Sequence, residues 1–185
     1  MREQLLLKEH AILKSGIRIL RPSEYKEIRN QAKTEKAFLM DCLLLSGLRY
    51  EEMLRVRQNP EWFDGNFIHL PQWAQKKAMR KQKERWVKLS IMGRSILPRL
   101  WEIAVPPRTT FDKWLRYNFP MIEGLSAKTF RKTWESWLLS RYPERSIEIS
   151  LSQGHDQLTE LRYYANLPFL EKDKIEMKEF VEGWA

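Results

Sequence analysis

Three short segments of this chain concentrate side chains that bind oxyanions, pass protons and act as nucleophiles. The first reads Leu45-Ser-Gly-Leu-Arg-Tyr-Glu-Glu-Met-Leu and places Arg49 at a helix start, just past a glycine break. The second reads Ser126-Ala-Lys-Thr-Phe-Arg-Lys-Thr-Trp, with Lys128 and Arg131 three apart. The third reads Ser152-Gln-Gly-His-Asp-Gln-Leu-Thr-Glu-Leu-Arg-Tyr-Tyr, with Tyr164 nine residues after His155. An arginine fork donates two hydrogen bonds to one phosphate, and lysine and histidine pass protons. A tyrosine phenolate attacks and leaves a covalent ester. Metal-free cleavage of a phosphodiester needs a nucleophile, cations on the non-bridging oxygens and an acid for the leaving oxygen. These residue types supply that set.

Other chemistries lack their signatures. The sequence has no Gly-x-x-x-x-Gly-Lys loop, no His-Glu-x-x-His, no Cys-x-x-Cys and no Gly-x-Ser-x-Gly elbow. The three histidines, His10, His69 and His155, have no ligand-like neighbours at metal spacing, so neither metal nor cofactor is expected.

The elements that must position these residues read as mainly α with one small antiparallel β-sheet. A helix opens at Arg21-Pro-Ser-Glu, with Ser23 as the expected N-cap. A leucine-rich helix covers about 35–45 and stops at Ser46-Gly47, and another begins near Arg49 with Glu51 and Glu52 in its first turn. Asp64-Gly-Asn signals a turn between two short apolar runs within 59–71, and a second strand is expected over 84–90, built on Trp86 and Leu89. A basic connection, 75–83, joins them. Further helices are expected at about 91–103, 109–118, 126–141, 144–151, 157–165 and 172–182.

On helix 126–141 the apolar stripe is Ala127, Phe130, Trp134, Trp137 and Leu138. Arg131 falls at its edge with its head free, and Lys128 lies one turn away on the same flank. Nine residues would set His155 and Tyr164 on opposite sides of one continuous helix. Asp156 as an N-cap relieves this by leaving His155 in the preceding loop. On the tyrosine helix, Tyr164 flanks the Leu158/Leu161/Ala165 stripe while Tyr163 points nearly away from it. The last helix carries Met177, Phe180, Val181 and Trp184, an apolar stripe that docks either in cis or on a neighbouring subunit.

In order and spacing, the three segments resemble the signature boxes of tyrosine recombinases, over about residues 20–167. The Ser-Gly-Leu-Arg-Tyr-Glu-Glu stretch looks like the first box, with Arg49 as catalytic arginine and Glu52 as its structural acid. Lys128-Thr-Phe-Arg131 is similar to the His-x-x-Arg box, with lysine in place of histidine as in integrases of archaeal viruses and plasmids. Gln153-Gly-His-Asp looks like the Leu-Gly-His box, and its usual interval makes Tyr164 the nucleophile. The resemblance also implies a general-acid lysine in the sheet's hairpin loop. The loop offers Lys76, Lys77, Lys81 and Lys83 for this role, of which Lys77 fits best and Lys76 next, and Lys76, Lys81 and Lys83 are expected to contact DNA. It implies a site-specific recombinase working through a 3′-phosphotyrosyl intermediate, as a homo-oligomer (a tetramer) on double-stranded DNA. Full integrases usually carry a separate N-terminal arm. About twenty residues precede the first helix, too few for that arm, so an isolated catalytic domain or an unusually short enzyme is expected.

Composition agrees with a polyanionic partner. Thirty-three Lys and Arg against twenty-four Asp and Glu give a net charge of +9, and the pI is near 9.7. At 185 residues and 43% hydrophobic, the chain is long and apolar enough for one cored domain. No apolar run reaches the roughly 18 residues that span a bilayer, and the charged N-terminus is not a secretory signal. A single cysteine, Cys42, suits a reducing cytoplasm.

Each residue also has an ordinary reading. Arg49 is a first-turn residue paired to Glu52, Lys128 and Arg131 are a solvated basic face, and His155 is a loop residue satisfying backbone. The Tyr pair trims a core, and the eight tryptophans pack. Coincidence across three segments outweighs each of these alone. Two rival functions stand beside the recombinase: a non-catalytic DNA-binding relative of the same fold, and an enzyme like the type IB topoisomerases. A covalent protein–DNA adduct separates enzyme from binder, and exchange between paired sites separates recombinase from topoisomerase.

Overall fold

The computed structural model describes residues 11–74, 83–155 and 167–185. In chain order these form a hairpin of β1 (Ile12–Lys14) and β2 (Ile17–Ile19), then α1 (Pro22–Gln31), α2 (Thr34–Ser46) and α3 (Tyr50–Gln58). Strands β3 (Phe67–Leu70) and β4 (Arg85–Lys88) follow, then α4 (Ile91–Ile96), α5 (Arg108–Asn118), α6 (Ala127–Arg141), α7 (Ser146–Gln153) and α8 (Glu171–Val181). The protein is mainly helical, with two small antiparallel sheets among the described residues. No helix there is long and apolar enough to cross a membrane.

Helix α6 is the centre. Its expected stripe (Ala127, Phe130, Trp134, Trp137 and Leu138) is buried, and so are Thr129, Arg131, Thr133, Glu135 and Ser136. A helix buried nearly all round must satisfy its polar side chains internally, and this one uses them as ties. Thr133 Oγ1 accepts from the Leu20 amide (3.0 Å), and the Trp137 indole donates to the Leu20 carbonyl (2.9 Å). These bonds fix the β1–β2 hairpin against α6.

That hairpin was not expected from the sequence. Its turn is Ser15-Gly16, both at positive φ (50° and 70°), the backbone a two-residue hairpin requires. Three-residue strands are too short to show alternation. Helix α1 starts two residues earlier than the Ser23 cap implied. Arg21 is its N-cap, Pro22 takes the first helical position, and the Glu24 carboxylate accepts from the Arg21 amide at 2.8 Å.

Helix α2 ends at Gly47, at φ 60°, as the Ser-Gly signal implies. The Asp64 turn is present, but its first apolar run gives only an isolated bridge from Phe63 to Ile68 after a 3₁₀ turn at Pro60–Trp62. The long partner of β3 is β4, with His69 opposite Trp86 and Leu70 opposite Arg85. The strand is therefore in another phase than expected. Arg85, Val87 and Leu89 are buried, while Trp86 faces out and stacks on His69 with ring centroids 4.4 Å apart. The single helix expected over 91–103 is α4 followed by a 3₁₀ segment, Leu97–Trp101, because Pro98 cannot donate to an α-helical ladder. The helix expected at 157–165 lies outside the described residues.

Helix α8 docks in cis. Met177, Phe180, Val181 and Trp184 are buried, and the chain end is bonded to the body. Ile91 N donates to the Glu182 carbonyl (2.9 Å), Tyr142 Oη to that of Val181 (3.2 Å), and the Trp184 indole to that of Lys88 (2.9 Å). Arg21 and Asp173 form a buried ion pair at the start of this helix.

Candidate functional site

The three segments meet around one carboxylate. Glu52, on the first turn of α3, accepts from the Arg49 amide with Oε2 (2.9 Å) and from the Arg49 guanidinium with Oε1 (2.6 Å). Oε2 also accepts from Arg85 Nη2 at 2.8 Å, and Arg131 Nη1 stands 4.0 Å away. The sequence makes this possible locally: ending α2 at Gly47 and starting α3 at Tyr50 places Glu52 at the third helical position, where it reaches back to the Arg49 amide.

Arg131 joins the segments. Its Nη1 donates to the Gly47 carbonyl (2.7 Å) and its Nη2 to the Gln153 carbonyl. One guanidinium on α6 thereby ties the loop before Arg49 to the C-terminus of α7, 84 residues one way and 22 the other. The expectation of a free head at a stripe edge is corrected, since Arg131 is 9% exposed. Helical periodicity located its flank, but α2 and α7 close over it.

Two glycines permit this closeness. A Cβ at Gly47 would lie 2.5 Å from the Gln153 amide and 2.7 Å from Trp134, and one at Gly154 (φ 67°) would lie 2.6 Å from the Arg85 guanidinium. Both positions need left-handed backbone and lack room for a side chain. Past Gly154, His155 sits in the loop after α7, as expected. Its amide donates to the Ser150 carbonyl (3.0 Å), and its Nε2 is 2.7 Å from Glu135 Oε1, one turn beyond Arg131 on α6.

Arg85, Glu135 and Ser152 are the site residues that the sequence reading missed. Arg85 stands at an inward strand position, is 5% exposed, and also donates through Nε to the Ser152 carbonyl at 3.1 Å. Ser152 Oγ accepts from the Lys88 amide (3.1 Å), pinning β4 beneath α7. The signal lay in the phase of the strand: with Val87 and Leu89 inward, position 85 faces the same way.

Burial by itself would raise the Glu52 carboxyl, but Arg85, Arg131 and Arg49 overcome it and hold the group at about 2. Arg131 is pushed down to about 10, first by burial and then by repulsion from Arg49, with Glu52 opposing. It stays a cation at neutral pH. Because the folded carboxyl titrates below its ordinary 4.5, the stability Glu52 contributes is fully present above that value and is lost as pH falls toward about 2. The expected contribution is about 3 kcal/mol. Urea unfolding followed across this range should show an acid-side loss that is smaller by that amount in Glu52→Gln. Equal losses in the two proteins would show that the arginines do not hold this carboxyl down.

Lys128 is exposed, one turn before Arg131. Lys83 is exposed just ahead of β4. Tyr164 and Tyr163, the Asp156 expected to cap their helix, and Lys76, Lys77 and Lys81 lie outside the described residues. The structure thus brings together Arg49, Glu52, Arg131 and His155, and adds Arg85, Glu135 and Ser152. No family model matches the chain, and no curated protein matches it.

Proposed function

We propose that this protein cuts and rejoins DNA strands by the chemistry of tyrosine recombinases, within a catalytic domain of that fold. The observation that carries the reading is the Arg131 guanidinium bonded at once to the Gly47 and Gln153 carbonyls, beside Arg49 and Glu52. Segments that resemble three boxes of one family in sequence are neighbours in space.

In the proposed reaction the Tyr164 phenol oxygen attacks the scissile phosphorus and the bond to the 5′ oxygen breaks. The protein is left joined to the 3′ phosphate, and the free 5′ hydroxyl takes its proton from Lys77. Arg49 and Arg131 hold the non-bridging oxygens, and Lys128 donates to the same phosphate. His155, an imidazole beside Glu135, exchanges the phenol proton. Attack by a 5′ hydroxyl on the phosphotyrosine reverses these steps and rejoins a strand. Within this reading the enzyme works as a homo-oligomer on duplex DNA in the cytoplasm of a mobile element's host. Suicide substrates that trap the cleaved strand test it, with a covalent adduct on a denaturing gel as the expected result and none as the refutation.

The tie of Arg131 to two carbonyls also favours the rival reading, a DNA-binding relative in which this arginine only braces the fold. Adduct formation decides between them.

Two further outcomes follow. Duplex affinity should fall steeply with salt, with a log–log slope of about −0.9 per phosphate contacted. A salt-insensitive interaction measured by fluorescence anisotropy would remove nucleic acid as the partner. Lys128→His should keep part of the cleavage activity and Lys128→Ala lose most of it, because an ammonium or imidazolium donates to phosphate and a methyl group does not. Full activity in the alanine variant would reduce Lys128 to surface charge.

A further inference from the structure

Helix α5 carries a second set of cations that the reaction does not use. Thr109, Lys113, Arg116 and Tyr117 are exposed, Tyr117 at 86%. At about 100° per residue they share one face, opposite the buried Phe111 and Leu115. The acid of this helix, Asp112, is half-buried and directed inward, where Oδ1 accepts from the Ala127 amide at 2.7 Å. The outward face is therefore cationic and hydroxylic, without a carboxylate of its own.

The inner face of α5 rests on the sequence neighbours of both site arginines. Phe111 stacks on Tyr50, next to Arg49, with centroids 5.6 Å apart. It also meets Phe130, next to Arg131, at 6.1 Å. The bond from Ala127 to Asp112 fixes α5 to the first turn of α6, where Lys128 is exposed. A helix held on both arms of the site carries its outer cations in a fixed relation to Arg49 and Arg131.

We propose that the outer face of α5 binds the phosphate backbone of duplex DNA beside the scissile phosphate, through Lys113 and Arg116 with Tyr117 as a further hydroxyl donor. This rests on the reading of the protein as a DNA-cutting enzyme. Two cations three residues apart lie on one helix face and can address neighbouring phosphates. Such contacts position the duplex without reading its sequence.

The test is duplex affinity across salt for the Lys113→Gln/Arg116→Gln variant. A control, Lys172→Gln/Lys178→Gln, removes the same charge from exposed positions of α8. Loss of two phosphate contacts should reduce the magnitude of the log–log slope by about 1.8, so the wild type loses roughly tenfold more affinity than the variant between 50 and 200 mM salt. The control should keep the wild-type slope, and adduct formation at saturating DNA should persist in the α5 variant. Thermal unfolding should be unchanged, because both side chains are exposed. A wild-type slope in the α5 variant overturns the proposal, and so does an equal reduction in the control, which would make the effect one of net charge. Absence of wild-type DNA binding overturns the DNA reading and this inference with it. Binding with no adduct removes the enzyme reading alone and leaves the slope comparison to decide the surface.

Discussion

Tyr164→Phe is expected to abolish every covalent protein–DNA adduct while leaving folding and DNA affinity nearly intact. The substitution removes a single oxygen, the one that would attack phosphorus, and keeps the ring. Tyr163→Phe should still form adducts, because a helix over 157–165, as the sequence predicts, would turn position 163 away from the Leu158/Leu161/Ala165 stripe that position 164 would flank. End-labelled suicide DNA on a denaturing gel, followed by peptide mapping, reads the outcome directly. Adducts mapped to Tyr163 would move the register by one residue. Adducts that persist in the double phenylalanine variant would end the tyrosine recombinase reading.

Arg49 and Arg131 should separate when each is replaced by alanine, although both are assigned to the same phosphate. The Arg49 side chain is 29% exposed, and the helix cap at its position is made by its backbone amide, which alanine retains. Arg49→Ala is therefore expected to slow adduct formation by roughly 10²–10³, the usual cost of a lost charge-stabilising donor, with a near-native unfolding midpoint. Arg131→Ala removes the same kind of donor but also leaves the buried Gly47 and Gln153 carbonyls without the bonds that join α2 to α7. It should lose cleavage and, in addition, about 3 kcal/mol of stability. Single-turnover adduct rates and urea unfolding measured on both variants check this. Normal cleavage by Arg49→Ala would mean that the active site is misplaced. Wild-type stability in Arg131→Ala would mean that the two carbonyl bonds contribute little to the fold.

Much of the frame around the candidate site was legible from local signals. The end of α2 at Gly47, the start of α3 after Arg49, the apolar stripe of α6 and that of α8 all follow from helical period and capping chemistry, which depend on residues within a turn or two. The His155 loop follows from the glycine before it. Signals failed where the elements were short or interrupted, as in the three-residue strands of β1–β2 and the Pro98 change from α to 3₁₀.

The sequence by itself determined which residue types stand near helix ends and turns: Arg49 beyond a helix stop, Arg131 on the flank of an apolar stripe, His155 after Gly154. Only the tertiary structure decided that Arg131 is buried rather than free, that Arg85 from the sheet joins the same carboxylate, and that Glu135 meets His155. The physical reason is that a period reports which side of an element is apolar, whereas the cost of burying a charge depends on the partner that meets it. For Arg85 that partner is Glu52, 33 residues away on another element, and no local pattern carries that distance.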